Sequence, residues 1–233
     1  MKNSLSKQVL FGAAITTLGI SAFADTIAYN NSNPDSYLGS VVTFTNNQYV
    51  GNQIILDSAN LYLTGFSLSY YSSGAVSASA QMDVQFYLND GATFNGYPTP
   101  GTLIYDSGSF GVTNWGNVTL NFDSDSLYGP GAHPLVGALP SSNFTFVVSF
   151  SGLDPEDQVG VLLFNPPTVG ENYADYWYND GGGWSLRTNN VAGSFGATFS
   201  VPEPSTTGVF ALGAAVAGVF GLVAWRKKRA GNA

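Results

Sequence analysis

The chain has no cysteine, a single histidine, His133, and only 7 lysine or arginine residues among 233. Without cysteine there is no disulfide framework, no thiolate nucleophile and no cysteine-ligated metal. One histidine excludes multi-histidine metal centres. Charged residues make up 9%, where ordinary soluble domains carry about a quarter, yet the 44% of hydrophobic residues is enough to fill a core and argues against disorder. The scarce cations are also unevenly placed. Lys2, Lys7 and Arg226 to Arg229 lie in the two ends, so between residues 25 and 201 Arg187 alone faces 14 carboxylates, a net of −13 without one lysine. Such a body cannot neutralise phosphates, which excludes a nucleic-acid partner. Self-repulsion keeps it soluble, and its charge favours divalent cations.

The ends read as addresses. Residues 1–24 have a positive start at Lys2 and Lys7, an apolar run from Val9 to Ile20, and the small-x-small sequence Ala22-Phe23-Ala24 before Asp25. This is the pattern of a secretory signal peptide cut by signal peptidase after Ala24, and the run is short for a membrane span. Residues 206–225 form a second apolar run without a charge, followed at once by Arg226-Lys227-Lys228-Arg229. Twenty residues at about 1.5 Å each cross a ~30 Å hydrocarbon layer. The basic cluster stays on the cytoplasmic side, so residues 25–205 face outward. The expected division is therefore a signal peptide (1–24), an extracellular domain (25–201) and a C-terminal sorting region (202–233).

Val201-Pro202-Glu203-Pro204-Ser205, an apolar helix and a basic cluster, in that order, resemble the PEP-CTERM sorting signal, an element also named the ice-binding protein C-terminal domain. The resemblance covers residues 201–229. It implies a substrate of exosortase in a Gram-negative bacterium that makes exopolysaccharide, with Pro202, Glu203 and Pro204 recognised and the chain cut near them. The membrane helix would then hold the protein only until processing, after which it would reside at the cell surface or in the extracellular matrix. Prolines keep the segment extended, as a protease-like groove requires. No flat, repeated threonine array between 25 and 201 supports ice binding.

The body alternates with period 2. Val76, Ala78, Ala80, Met82, Val84, Phe86 and Leu88 predict one long half-buried strand, and Phe144, Phe146, Val148 and Phe150 another. Val118, Leu120 and Phe122 repeat the pattern, and a phase flip at Gly65 predicts a bulge or bend. Further strands are expected over 26–30, 38–45, 49–56, 102–105, 158–164, 174–178 and 194–200. Asn89-Asp90-Gly91, Tyr128-Gly129-Pro130-Gly131 and Asn179-Asp180-Gly181-Gly182-Gly183 are turn signals. No stretch reads as a long amphipathic helix. The expected fold is all-β: an antiparallel β-sandwich, jelly-roll-like. The stretch from Val159 to Gly170, with Tyr176-Trp177 and Gly183-Trp184, is similar to choice-of-anchor β domains, which implies an exported surface or matrix protein.

No catalytic motif is present, and the expected role is that of a non-enzymatic module associated with exopolysaccharide. Tyr176, Trp177, Tyr178 and Trp184 crowd one segment among Asn172, Asn179 and Asp180. Flat rings stack on sugar faces while amides and carboxylates bond hydroxyls, so these four are the candidate carbohydrate contacts; core filling is the competing role. Trp115 is a weaker candidate. Asp154, Glu156 and Asp157 share one loop and could hold Ca²⁺ through hard oxygens, as could Asp123 and Asp125, although neither loop has an EF-hand pattern and solvated loops explain both. A hydrolase or lyase would use Glu171 and Glu156 as paired carboxyls. His133 and Arg187 read as a surface histidine and a cation paired with an acidic neighbour. A self-assembling structural matrix protein is the third reading.

Overall fold

The computed structural model describes residues 25–72, 76–112, 116–129, 131–173, 175–188 and 193–203. The signal peptide, Pro204, the apolar run 206–225, the basic cluster and Trp115 lie outside these residues. Among the described residues no helix is long and apolar enough to cross a membrane.

The strands, in chain order, are β1 (Asp25–Asn30), β2 (Tyr37–Phe44), β3 (Gln48–Ile55), β4 (Gly65–Ser72), β5 (Gln81–Leu88), β6 (Thr93–Phe94), β7 (Tyr97–Pro98), β8 (Leu103–Asp106), β9 (Phe110–Gly111), β10 (Gly116–Asp123), β11 (Asn143–Ser151), β12 (Val159–Phe164), β13 (Glu171–Asn172), β14 (Asp175–Asn179), β15 (Ser185–Thr188), β16 (Ser194–Phe195) and β17 (Ala197–Pro202). Every pairing is antiparallel. One sheet runs β1-β17-β4-β12-β16, with β10 added beside β4 and β2 beside β12; the other runs β15-β14-β3-β11-β5-β8, with β13 beside β3 and β9 beside β5. The result is an all-β sandwich.

The period of 2 explains the core. Met82, Val84 and Phe86 of β5 point inward and are buried, as are Phe144, Phe146, Val148 and Phe150 of β11. From the opposite sheet, Phe66 meets Phe86 edge-on at 5.3 Å, and Phe199 meets Phe144 at 5.3 Å and Phe146 at 5.8 Å. Offset and edge-on ring pairs of this kind add to the area they bury. Core residues run from Ala28 to Val201, and β1 pairs with β17, Asp25 opposite Pro202, so the body closes on itself.

The first sheet divides at Gly196. Its N–H donates to Leu162 and its carbonyl accepts from Ser69, so strands β12 and β4 part around it. A Cβ there would overlap the ring of Phe164, which is why glycine stands at this point. Beside the junction the buried Asn31 amide donates to the carbonyls of Phe164, Ser194 and Phe195, tying the divided strands together.

One expectation needs correction. The strand expected over 76–88 begins only at Gln81. Ala80 N–H closes a turn onto Ser77, and Ser77 N–H is held by the Asp157 carboxylate at 3.2 Å, which draws Val76–Ala80 away from the ladder. The phase flip expected to be a bulge or bend at Gly65 is a bend at Thr64, just before β4 begins; Leu61 and Leu63 precede β4 without joining it. A short helix also appears, α1 (Ser124–Tyr128), capped by Asp123, whose carboxylate accepts from Ser126 N–H and Oγ.

Candidate functional site

The candidate carbohydrate contacts are divided by the pleat of β14. Trp177 sits opposite Gly51 of β3 and Leu186 of β15 on the outer face of the second sheet. Tyr176 and Tyr178 point the other way: both pack on the core, Tyr176 with its ring 6.1 Å from Phe195 and Tyr178 beneath the Arg187 guanidinium at 3.9 Å. Arg187 therefore stacks on a ring, and among the described residues no ion pair with the acidic neighbour expected of it is formed. Tyr176 and Tyr178 serve the sandwich, while Trp177 lies buried on the outer face of the second sheet and Trp184 is half-buried.

Gly51 makes the outer face flat beside Trp177. A Cβ on it would lie 2.7 Å from Thr145 Cγ2 and 2.9 Å from Val147 Cγ2. Trp177, only 1% exposed, forms the floor of a small cavity of about 90 Å³ walled by Gln53, Asp175 and Leu186 and rimmed by Tyr97 and Tyr173. The rim tyrosines are 52% and 41% exposed, so their rings are available to a ligand. Tyr97 reaches this position on the β6–β7 hairpin, whose tip, Asn95 at φ 50° and Gly96 at φ 87°, has the left-handed pair that a tight hairpin demands. The Asn-Gly pair was the signal for this ring, and sequence reasoning passed over it.

Beyond the cavity the same face carries amides in one network. Gln53 Nε2 and Asn89 Nδ2 both donate to Asn143 Oδ1 at 2.9 Å, and Thr145 Oγ1 donates to Asn89 Oδ1 at 2.6 Å. Trp184 meets Tyr87 edge-on at 6.1 Å. The turn that delivers it is built by Asn179 Oδ1, which accepts from Gly181 and Gly183, and by Asp180, which accepts from Gly182. Asn179 and Asp180, read from sequence as hydroxyl-bonding groups, are thus occupied by their own loop.

The structure brings together a carboxyl pair that the sequence did not announce. Gln85 Nε2 donates to Asp83 at 3.1 Å and to Asp106 at 2.9 Å; Ser107 Oγ donates to Asp83 and Gly108 N–H to Asp106. Burial and the adjacent Asp106 carboxylate raise the Asp83 pKa to about 6. Tyr87, bonded to Gln85 Oε1 at 2.8 Å, is pushed up to about 12 by burial, then by Asp106. This corner can hold a proton between carboxyls and offer acceptors to hydroxyls or cations.

The other carboxylates do not converge. Glu156 lies in the loop after β11, beside the Gln48 end of β3, as the bonds between Asn46 and Leu153 show. Glu171 pairs with Ile55 at the opposite end of β3. The seven steps along the eight-residue strand β3, at about 3.3 Å each, put them roughly 23 Å apart, beyond the ~5–10 Å of a glycosidase pair. Asp157 is turned into its own loop, accepting from Asp154 N–H and Ser77 N–H, and these bonds hold it below its ordinary pKa. Among the described residues no three carboxylate or histidine groups are placed to hold a metal ion. His133 has an exposed side chain and bonds Asp106 through its backbone. Pro202 ends β17, and Glu203 is exposed immediately after it.

No family model matches the chain, and no curated protein or solved structure does either.

Proposed function

We propose that this protein is an exported, non-enzymatic glycan-binding module on a jelly-roll-like sandwich, sorted through its C-terminal Pro-Glu-Pro region to the cell surface or matrix. The ligand is an extracellular polysaccharide lying across the outer face of the second sheet. The observation that carries this reading is the pair of exposed rings, Tyr97 and Tyr173, at the rim of the Trp177 cavity with Gln53 and Asp175 in its wall. Rings of this exposure supply stacking area, while the amide and carboxylate give oriented hydrogen bonds to hydroxyls. Export is supported by the sequence pattern of residues 1–24, and sorting by the order of motif, apolar run and basic cluster.

The test is affinity electrophoresis of residues 25–203, whose core closes within that range, through gels containing individual polysaccharides. Retardation by at least one polysaccharide is expected, and Tyr97→Ala with Tyr173→Ala should weaken it about tenfold or more with the thermal midpoint unchanged. Migration unaffected by every polysaccharide, or retardation untouched by the double variant, removes this site.

A further inference from the structure

A larger cleft, of about 560 Å³, lies at the side of the sandwich where β8 and β9 of one sheet face β10 of the other. Its volume falls in the range of small-molecule sites. Tyr105, Ser107 and Phe110 come from the first side; Phe122, Asp123 and Asp125 come from β10 and the start of α1.

Three features define what could occupy it. The first is aromatic surface: Phe110 and Phe122 meet edge to face at 5.8 Å. The second is charge. Asp123 and Asp125 line the cleft and no lining residue is a cation. Bonds from Ser126 hold the Asp123 carboxyl below its ordinary range, so it is ionised at neutral pH. Behind the wall, Ser107 Oγ donates to Asp83 at 3.1 Å, which places the Asp83–Asp106 pair close enough to deepen the negative potential. The third is an unmet hydrogen bond. Tyr105 is 1% exposed, and its hydroxyl has no partner among the described residues, although buried polar groups are rarely left so.

We propose that this cleft binds an organic cation: a ring-bearing ammonium compound whose charge faces Asp123 and Asp125, whose apolar part lies against Phe110 and Phe122, and whose polar atom bonds the Tyr105 hydroxyl. Carboxylates beside aromatic faces are the combination that retains an ammonium group while its apolar part leaves water.

The experiment is calorimetric titration of the full chain, in a neutral detergent, with tyramine, phenethylamine and 4-hydroxyphenylacetate. These probes share one ring and differ in the hydroxyl or the charge. Tyramine is expected to bind most tightly and 4-hydroxyphenylacetate not at all. Asp125→Asn, which leaves the Asp123 cap in place, should weaken tyramine about tenfold. Tyr105→Phe should weaken tyramine but leave phenethylamine unchanged, without lowering the thermal midpoint. Absence of tyramine binding, binding of the anion as tight as that of tyramine, or tyramine affinity unchanged in both variants would each overturn the proposal.

Discussion

Asp83 and Asp106 share one amide, that of Gln85. Because burial and its neighbour raise Asp83 to about 6, the folded chain holds this proton more tightly than the unfolded chain. By linkage, the stability it contributes is complete below about pH 4 and is lost as the pH rises through about 6. Asp83→Asn keeps an acceptor for the Ser107 hydroxyl but has no charge to develop. Its thermal midpoint should therefore gain on that of the parent chain as the pH is raised from about 4 to about 7. Asp90, Asp123 and Asp157 are held low by bonds from Thr102, Ser126, and Asp154 with Ser77 respectively. Their contribution runs the opposite way, being lost on acidification below the usual carboxylate range, and it cancels in the comparison. Parallel midpoint profiles for the two proteins would show that Asp83 titrates as an ordinary carboxylate.

At the scale of elements, the parting of β4 and β12 around Gly196 is a tightly constrained point of the fold. Gly196→Ala forces its methyl group against the Phe164 ring, itself packed 5.3 Å from Tyr37. Overpacking of this kind costs about 1–3 kcal/mol, and a denaturant titration should show a lower midpoint with an unchanged slope. The local alternation that reveals strands contains little of this. Residues 158–164 and 194–200 were legible as strands because their apolar residues are dense. That the second would break in two at a glycine depends on which strand lies beside it, and pairing is non-local. The same reason hid the carboxyl pair: Asp83 and Gln85 are two apart on one strand, but Asp106 arrives through the β5–β8 register. The face of Trp177 could be divided from that of Tyr176 and Tyr178 by counting in twos, once β14 was fixed as a strand. Tyr97 and Tyr173 could not be joined to it, since a hairpin and a separate loop carry them. The excess of strand across 76–80 came from alternation that continues into a segment held by the Asp157 loop.

For the whole molecule, the body of 25–201 combines a net charge of −13 with a sandwich whose first and last strands are partners. Charge of one sign keeps copies apart, which suits a dispersed surface protein more than a self-assembling one. The proposed sorting makes its own prediction. Replacing Glu203 and Pro204 together should leave the extracellular form with unprocessed mass and reduce its release, as read by mass spectrometry of the cell and medium fractions; unchanged mass and release would exclude processing at that motif. The pairing of Asp25 with Pro202 has a mechanical consequence under the same topology. Only residues 203–205 separate the last paired residue from the apolar run that begins at Thr206. At about 3.5 Å per residue this leash is no longer than ~14 Å, shorter than the sandwich itself. If residues 206–225 span the bilayer as proposed, the domain would be unable to tumble freely until this segment is cut. Under the proposed sorting the β1–β17 corner would hold it close to the bilayer, and a cut within this short segment would turn an oriented surface fixture into a diffusing particle.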